Sequence, residues 1–192
     1  MKKIVFATNN AHKLEELRNI LSGKYQVLAL SDIGFHEDIP ETGETLAENA
    51  TIKSQHIFEK FHIDCFSDDT GLEVDALGGK PGVYSARFAG ENSTYAQNVD
   101  KLLLELKNTA NRTACFKTVI SLILDGNEYQ FEGSVEGVIT KEKHGEKGFG
   151  YDPVFLPDGY KETFAEMPAT LKNSISHRGK AVAKLVDFLK SH

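Results

Sequence analysis

The spacing of apolar residues switches along this chain between the period of a strand and that of a helix, and each switch marks an element. Lys3 to Ala7 is a short apolar run that predicts a buried first strand. In Ala11 to Leu21 the residues Leu14, Leu17, Ile20 and Leu21 fall on one helical face. A second strand, Tyr25 to Leu30, follows Ser22-Gly23, so the chain opens as strand, helix, strand, the start of an α/β fold. Thr45 to Phe61 reads as a longer helix, with Leu46, Ala50, Ile57 and Phe61 near helical spacing. It leads into the apolar stretch before Ser67-Asp68-Asp69-Thr70-Gly71, which predicts a strand ending at the acidic pair and turning sharply at the glycine. Leu72 to Leu77 is expected to be short and extended, and Gly78-Gly79-Lys80-Pro81-Gly82 to be a loop. Val99, Leu102, Leu103 and Leu106 predict a helix from Thr94 to Leu106. Ala114 to Leu124 and Tyr129 to Ile139 flank Asp125-Gly126-Asn127, a hairpin signal that places antiparallel strands in the sheet. After the loop Lys141 to Tyr151, a stripe of Ala181, Val182, Leu185, Val186 and Leu189 predicts a last helix from about Arg178 to Leu189.

Composition narrows this picture. Hydrophobic residues at 40%, charged residues at 26% and only 5 prolines describe an ordinary globular chain. No Pro/Ser linker or charge block divides it, so residues 1–192 are expected to form one domain. No apolar run approaches the roughly 20 residues of a membrane span. Met1-Lys2-Lys3 and the short run behind it do not read as a signal peptide, and Cys65 and Cys115 sit singly in apolar runs, as reduced core thiols do. A cytoplasmic location is the expectation. The net charge of −6 weighs against duplex nucleic acid as a partner, but leaves room for a small anionic substrate held by a local cluster of cations.

Several segments carry candidate chemistry. Asp68 and Asp69 are adjacent carboxylates that repel one another and need a cation if buried; the same five residues also suit a solvated turn. The loop Thr8-Asn9-Asn10-Ala11-His12-Lys13 lies between a strand and a helix, where backbone N–H groups and a lysine suit a phosphate chain. Thr8 and Asn10 are equally ordinary helix caps, and His12 reads as surface. Glu41, in Glu41-Thr42-Gly43-Glu44-Thr45, is a metal carboxylate or part of a capping loop, with Glu44 the more obvious first-turn acid. Asn49 and Lys53 lie one turn apart on the long helix, so Lys53 faces either the site or solvent. Gly148-Phe149-Gly150-Tyr151-Asp152-Pro153 sets two aromatic rings and a carboxylate among glycines, as a base-stacking loop or a packed corner. Ser176 is a natural N-cap for the last helix, while Arg178 opposes its dipole unless an anion offsets it; His177 stands between them, and Lys172 adds a positive group upstream.

Taken together these residues resemble the inosine triphosphate pyrophosphatase family. The resemblance runs in order through Thr8, Asn10 and Lys13; Glu41 with Glu48-Asn49-Ala50; Ser67 to Leu72; Gly79-Lys80-Pro81-Gly82 with Ser85-Ala86-Arg87; Gly148 to Phe155; and Ser176-His177-Arg178. Thr70 stands where many members have serine. What the resemblance implies is a long mixed twisted sheet flanked by helices, in two lobes with the nucleotide cleft between them. It further implies Mg²⁺-dependent hydrolysis of inosine, deoxyinosine and xanthosine triphosphates to the monophosphate and pyrophosphate, in a homodimer.

By the same resemblance, Asp69 would activate water, and Asp69, Asp68 and Glu41 would hold the metal. The Thr8 to Lys13 loop, Lys172 and Lys53 would bind the phosphates, and Thr70 would bond near the phosphates or sugar. Phe149 would stack on the base, while amides around Gly150, Tyr151 and Asp152, with His177 and Arg178, read its 6-oxo edge. Two competing nucleotide-hydrolase readings fit less well. A haloacid-dehalogenase-type phosphatase needs a DxD pair after the first strand, and a Maf-type pyrophosphatase lacks the Ser-His-Arg and Gly-Phe-Gly-Tyr-Asp motifs. A non-catalytic nucleotide sensor is disfavoured by the intact Asp69.

Overall fold

The structure, a computed structural model, describes residues 2–23 and 25–191. Its helices are α1 (Ala11–Leu21), α2 (Leu46–Phe61), α3 (Tyr95–Glu105), α4 (Ala169–Ile175) and α5 (His177–Leu189). Its strands are β1 (Lys2–Phe6), β2 (Tyr25–Leu28), β3 (Cys65–Val74), β4 (Pro81–Gly82), β5 (Thr113–Leu124), β6 (Asn127–Ile139) and β7 (Phe155–Pro157). Among the described residues the strands form one sheet in the order β2-β1-β3-β5-β6-β7, with β4 on β3. The sheet is mixed: β1 runs parallel to β2 and β3, whereas β3 pairs antiparallel with β4 and β6 with β7. Asp125 and Gly126 both take positive φ (49° and 77°), the two-residue turn whose twist matches a hairpin.

The chain divides into two compact units. One comprises Met1–Asp69, Thr118–Gly133 and Arg178–His192; the other comprises Thr70–Lys117 and Ser134–His177. In the first unit, strand alternation sends side chains to two helical layers. Ile4, Phe6, Phe66 and Ile120 pack with α1 and α5 through Leu17 and Val182, and the Phe6 and Phe66 rings stack at 4.6 Å. Val5, Cys65 and Ile123 face the opposite way, toward Ile57 of α2. The second unit has its own core, where Leu72, Val74 and Phe116 meet Leu102 of α3, Phe155 and Phe164.

Several sequence expectations change. The acidic pair does not end a strand: β3 continues through Gly71 to Val74, and Gly71 is not among the glycines with positive φ. Pro81-Gly82, expected in a loop, forms a short strand at which Pro81 pairs with Glu73. The second strand stops at Leu28, and Leu30 caps a 3-10 turn. Helix α4 was not foreseen, because its seven residues offer no apolar stripe. Thr45 caps α2 with a full capping box, so the first-turn acid is Glu48 rather than Glu44.

Candidate active site

Within the first unit, the alternation of β3 decides what each acid meets. Phe66 and Asp68 share the face packed by α1 and α5, while Cys65, Ser67 and Asp69 share the face packed by α2. Asp68, 1% exposed, accepts from Lys13 of α1 at 3.0 Å on one oxygen and from Arg178 Nε of α5 at 3.1 Å on the other. Arg178 Nη1 also donates to Glu16 at 2.5 Å. Glu16 lies one helical turn beyond Lys13, and sequence reading passed over it because a glutamate on a surface helix is unremarkable by pattern. These carboxylates answer the misplaced charge of Arg178 at a helix start.

On the α2 side, Ser67 donates its hydroxyl to the Ala50 carbonyl, which seats the helix on β3. Asn49 then accepts from Gly43 N at 2.8 Å and donates to Asp69 Oδ2 at 3.2 Å. A Cβ at Gly43 would come within 2.7 Å of Glu48 Cβ, so this approach requires glycine. One turn on, Lys53 is buried and donates to Glu41 Oε1 at 2.5 Å and to the Asp68 carbonyl at 2.7 Å, with Asp69 Oδ1 at 3.8 Å. Of the two sequence readings of Lys53, the structure has the inward one.

The two faces drive the adjacent carboxyls apart in acidity. Burial alone would raise Asp68, but Lys13, then Arg178 and Lys53, outweigh it and hold the group well below the usual carboxylate range. For Asp69 burial wins over Lys53 and Lys13, and the pKa is raised. Burial likewise lowers Lys13, although Asp68 opposes the shift, whereas for Lys53 the three acids overcome burial and raise it. Opposed shifts in neighbouring acids are the pattern of divided chemical roles.

The first loop serves α1 directly. Asn10 Oδ1 caps it, accepting from the backbone N of His12 and Lys13 at 3.1 and 3.2 Å, and Thr8 Oγ1 accepts from Asn10 N. Asn9 donates to Asp38 at 2.8 Å, and Ala11 and His12 are exposed.

The second unit assembles the aromatic loop. Asp152 Oδ2 accepts from Phe149 N at 2.9 Å and from Lys172 Nζ of α4 at 2.7 Å, and Lys172 stands 5.1 Å from the Phe149 ring centroid. Gly148, at φ 72°, could carry no Cβ without striking the Asp152 carboxylate. Gly150 has φ 63°. Tyr151 is buried and donates to the Ser85 carbonyl at 2.7 Å. Ser85 in turn accepts from Leu72 N at 2.9 Å and donates to Gly82 O at 2.6 Å, which ties the Pro-Gly segment to β3 two residues after the half-buried Thr70. His177 stacks on Phe116 at 4.5 Å.

As to a metal, both Asp68 oxygens meet cations on one face of β3, while Asp69 leaves by the other. Glu41 and Asp69 do share a cation, the Lys53 ammonium, with a backbone carbonyl. Hard oxygens in that number fit Mg²⁺, which takes one or two carboxylates and completes its shell with water and substrate phosphate.

Comparison with known proteins adds three findings. A family model described as the Ham1 family matches residues 4–188. Two curated relatives, each called dITP/XTP pyrophosphatase, come from Flavobacterium johnsoniae (52% identical over 187 residues, 97% of each chain) and Porphyromonas gingivalis (53% over 190 residues, 98% of each). The solved Ham1 protein of Staphylococcus aureus has a TM-score of 0.89 to this chain at 42% identity, covering 99% of both.

Proposed function

This chain belongs to the Ham1 family, and from that premise we propose that it hydrolyses non-standard purine nucleoside triphosphates, dITP, XTP and ITP, to the monophosphate and pyrophosphate. The observation that carries the mechanism is the split pair: Asp69 raised and Asp68 depressed on opposite faces of one strand. A carboxylate with raised pKa is the better proton acceptor. Asp69 takes the proton of the attacking water, the water oxygen bonds to phosphorus, and the bridging oxygen of the α–β anhydride leaves with the pyrophosphate. Mg²⁺, held by Glu41 and Asp69 together with the polyphosphate, would lower the pKa of that water and neutralise phosphate charge. Lys53 and Lys13 donate to phosphate oxygens and stabilise the charge that develops as the anhydride breaks. Asp68 keeps its charge and holds Lys13 and Arg178 in place.

The second unit supplies the base chemistry. The Phe149 ring stacks on the purine, and the Asp152 carboxylate fixes the loop through the Phe149 amide, beside the amides of Gly150 and Tyr151. Donors among those amides and His177 pair with the oxygen of a 6-oxo purine and leave unpaired groups against the 6-amino of adenine. The base-reading part of Arg178, a residue of the first unit, is carried by the family resemblance, and a guanidinium has five N–H donors, so its bonds to Asp68 and Glu16 are compatible with that part. Thr70 and Lys172 bond the sugar or phosphates.

The deciding assay is pyrophosphate release from dITP, XTP, ITP, ATP and GTP, with and without Mg²⁺. Rapid release from the first three, with ATP poorer by roughly 10⁴ in kcat/KM, is expected. Orthophosphate as product would overturn the reaction class, and equal rates with ATP would overturn the base reading. The proposal includes a homodimer, to be weighed by light scattering against the 21.2 kDa chain, and a cytoplasmic location, which suits two free buried thiols.

A further inference from the structure

Tyr95 opens α3 at its first helical position, and its side chain is 39% exposed. It does not belong to the apolar core of its unit, which α3 enters through Val99 and Leu102. Its ring lies 5.9 Å from the Phe149 ring, tilted by 47°, within the range of favourable aromatic pairs.

The surroundings of Tyr95 hold it there. Thr94 and Gln97 form a capping box at the start of α3. Asn98 donates to Ala86 O at 3.0 Å and accepts from Ala89 N at 2.7 Å and from Ser93 Oγ at 2.8 Å, while Lys101 donates to Phe88 O at 2.8 Å. Through these bonds α3 is fastened to the segment that begins at Ser85, and Ser85 accepts the Tyr151 hydroxyl. The Gly-Lys-Pro-Gly and Ser-Ala-Arg motifs thereby gain a purpose within this unit: they anchor both α3 and the Phe149 loop. Asp152 fixes the Phe149 backbone, which leaves the ring torsions as the freedom to be limited.

We propose that Tyr95 is a positioning residue for base recognition, its ring holding the Phe149 ring in the orientation that stacks on the purine. This rests on the stacking role given to Phe149 above. Ordering a stacking ring before the base arrives lowers the entropy lost on binding, so the effect falls on affinity for the base and not on the phosphate chemistry.

The test is steady-state hydrolysis of ITP by Tyr95→Ala, Tyr95→Phe, Phe149→Ala and the Tyr95→Ala/Phe149→Ala double variant, with inhibition by inorganic tripolyphosphate alongside. Tyr95→Ala should raise KM about fivefold, the weight of one aromatic pair, with kcat within about twofold of wild type. Tyr95→Phe should restore the KM, and the double variant should be no worse than Phe149→Ala alone. Tripolyphosphate has no base, so its inhibition constant should not move. A wild-type KM in Tyr95→Ala beside a raised KM in Phe149→Ala would overturn the role of Tyr95 alone. An unchanged KM in Phe149→Ala would overturn the stacking reading beneath it. A parallel rise in KM and in the tripolyphosphate constant would assign the change to general disruption and likewise overturn the proposal.

Discussion

Asp68 and Asp69 have the same side chain and neighbouring positions, and what separates them is the pleat of β3. Asp68 meets Lys13 and Arg178; Asp69 meets Asn49 and Lys53 in a site where burial outweighs the cations. Amide substitution should therefore have opposite consequences at the two positions. On the role proposed for Asp69, Asp69→Asn removes the proton acceptor, and kcat should fall by about 10³ while the nucleotide still binds in calorimetry. The fold should not suffer, since a group whose charge is disfavoured by burial is replaced by a neutral one. Asp68→Asn instead takes from Lys13 and Arg178 the carboxylate they share, leaving Glu16 on Arg178, and denaturant unfolding should show a loss of about 3 kcal/mol. Equal losses of stability in the two variants would contradict the division of roles. The pH profile follows from the same shift. A base acts when deprotonated, so kcat/KM should fall as pH drops through a pKa above the ordinary carboxylate range, and Asp69→Asn should remove that limb.

At the scale of elements, what the sequence disclosed depended on whether an element buries one face or two. Helix α1 buries one face and was legible to its end residues; α5 was legible to within one. Strand β3 is buried on both faces through most of its length, so no polar and apolar alternation survives, and two aspartates inside it look the same as a turn outside it. Its charges are matched by lysines and arginine from three helices, a fact of tertiary packing that local pattern does not carry. The candidate site was legible as a set of residue types, but the parity that divides Asp68 from Asp69 required the strand to continue. Arg112 shows the same limit. The apolar pattern passes over it, and its guanidinium donates to Leu106 O at 2.7 Å, Ile139 O at 2.6 Å and Thr140 O at 2.7 Å, closing the end of α3 onto the end of β6. Arg112→Ala should cost about 2 kcal/mol in chemical denaturation. Arg112→Lys should recover only part of this, because an ammonium does not reproduce the planar fork; full recovery would show that the charge alone matters.

At the scale of the whole molecule, the chain passes from one unit to the other inside β3, β5 and β6, so neither unit is a continuous stretch and each depends on strands it shares with the other. Unfolding of one unit should therefore unfold both. The two cysteines report on this separately, since Cys65 belongs to the first unit and Cys115 to the second, and both are buried free thiols. Burial raises each thiol to about 12, so neither is a thiolate in the folded chain at pH 8. Labelling by a thiol reagent across a denaturant series at pH 8 should then occur only through unfolding, and both cysteines should label with one midpoint. Two midpoints would show that the units open independently. The same shifts set an alkaline limit. Below about pH 7.5 the thiols are neutral in both folded and unfolded chains and contribute no pH dependence. As pH rises from there toward 12 the unfolded thiols ionise while the folded ones stay protonated, which favours the unfolded chain, so stability should decline across that interval. Replacing both cysteines by alanine should flatten the decline even though it lowers stability at neutral pH, and an unchanged alkaline slope in that variant would remove the thiols as its cause.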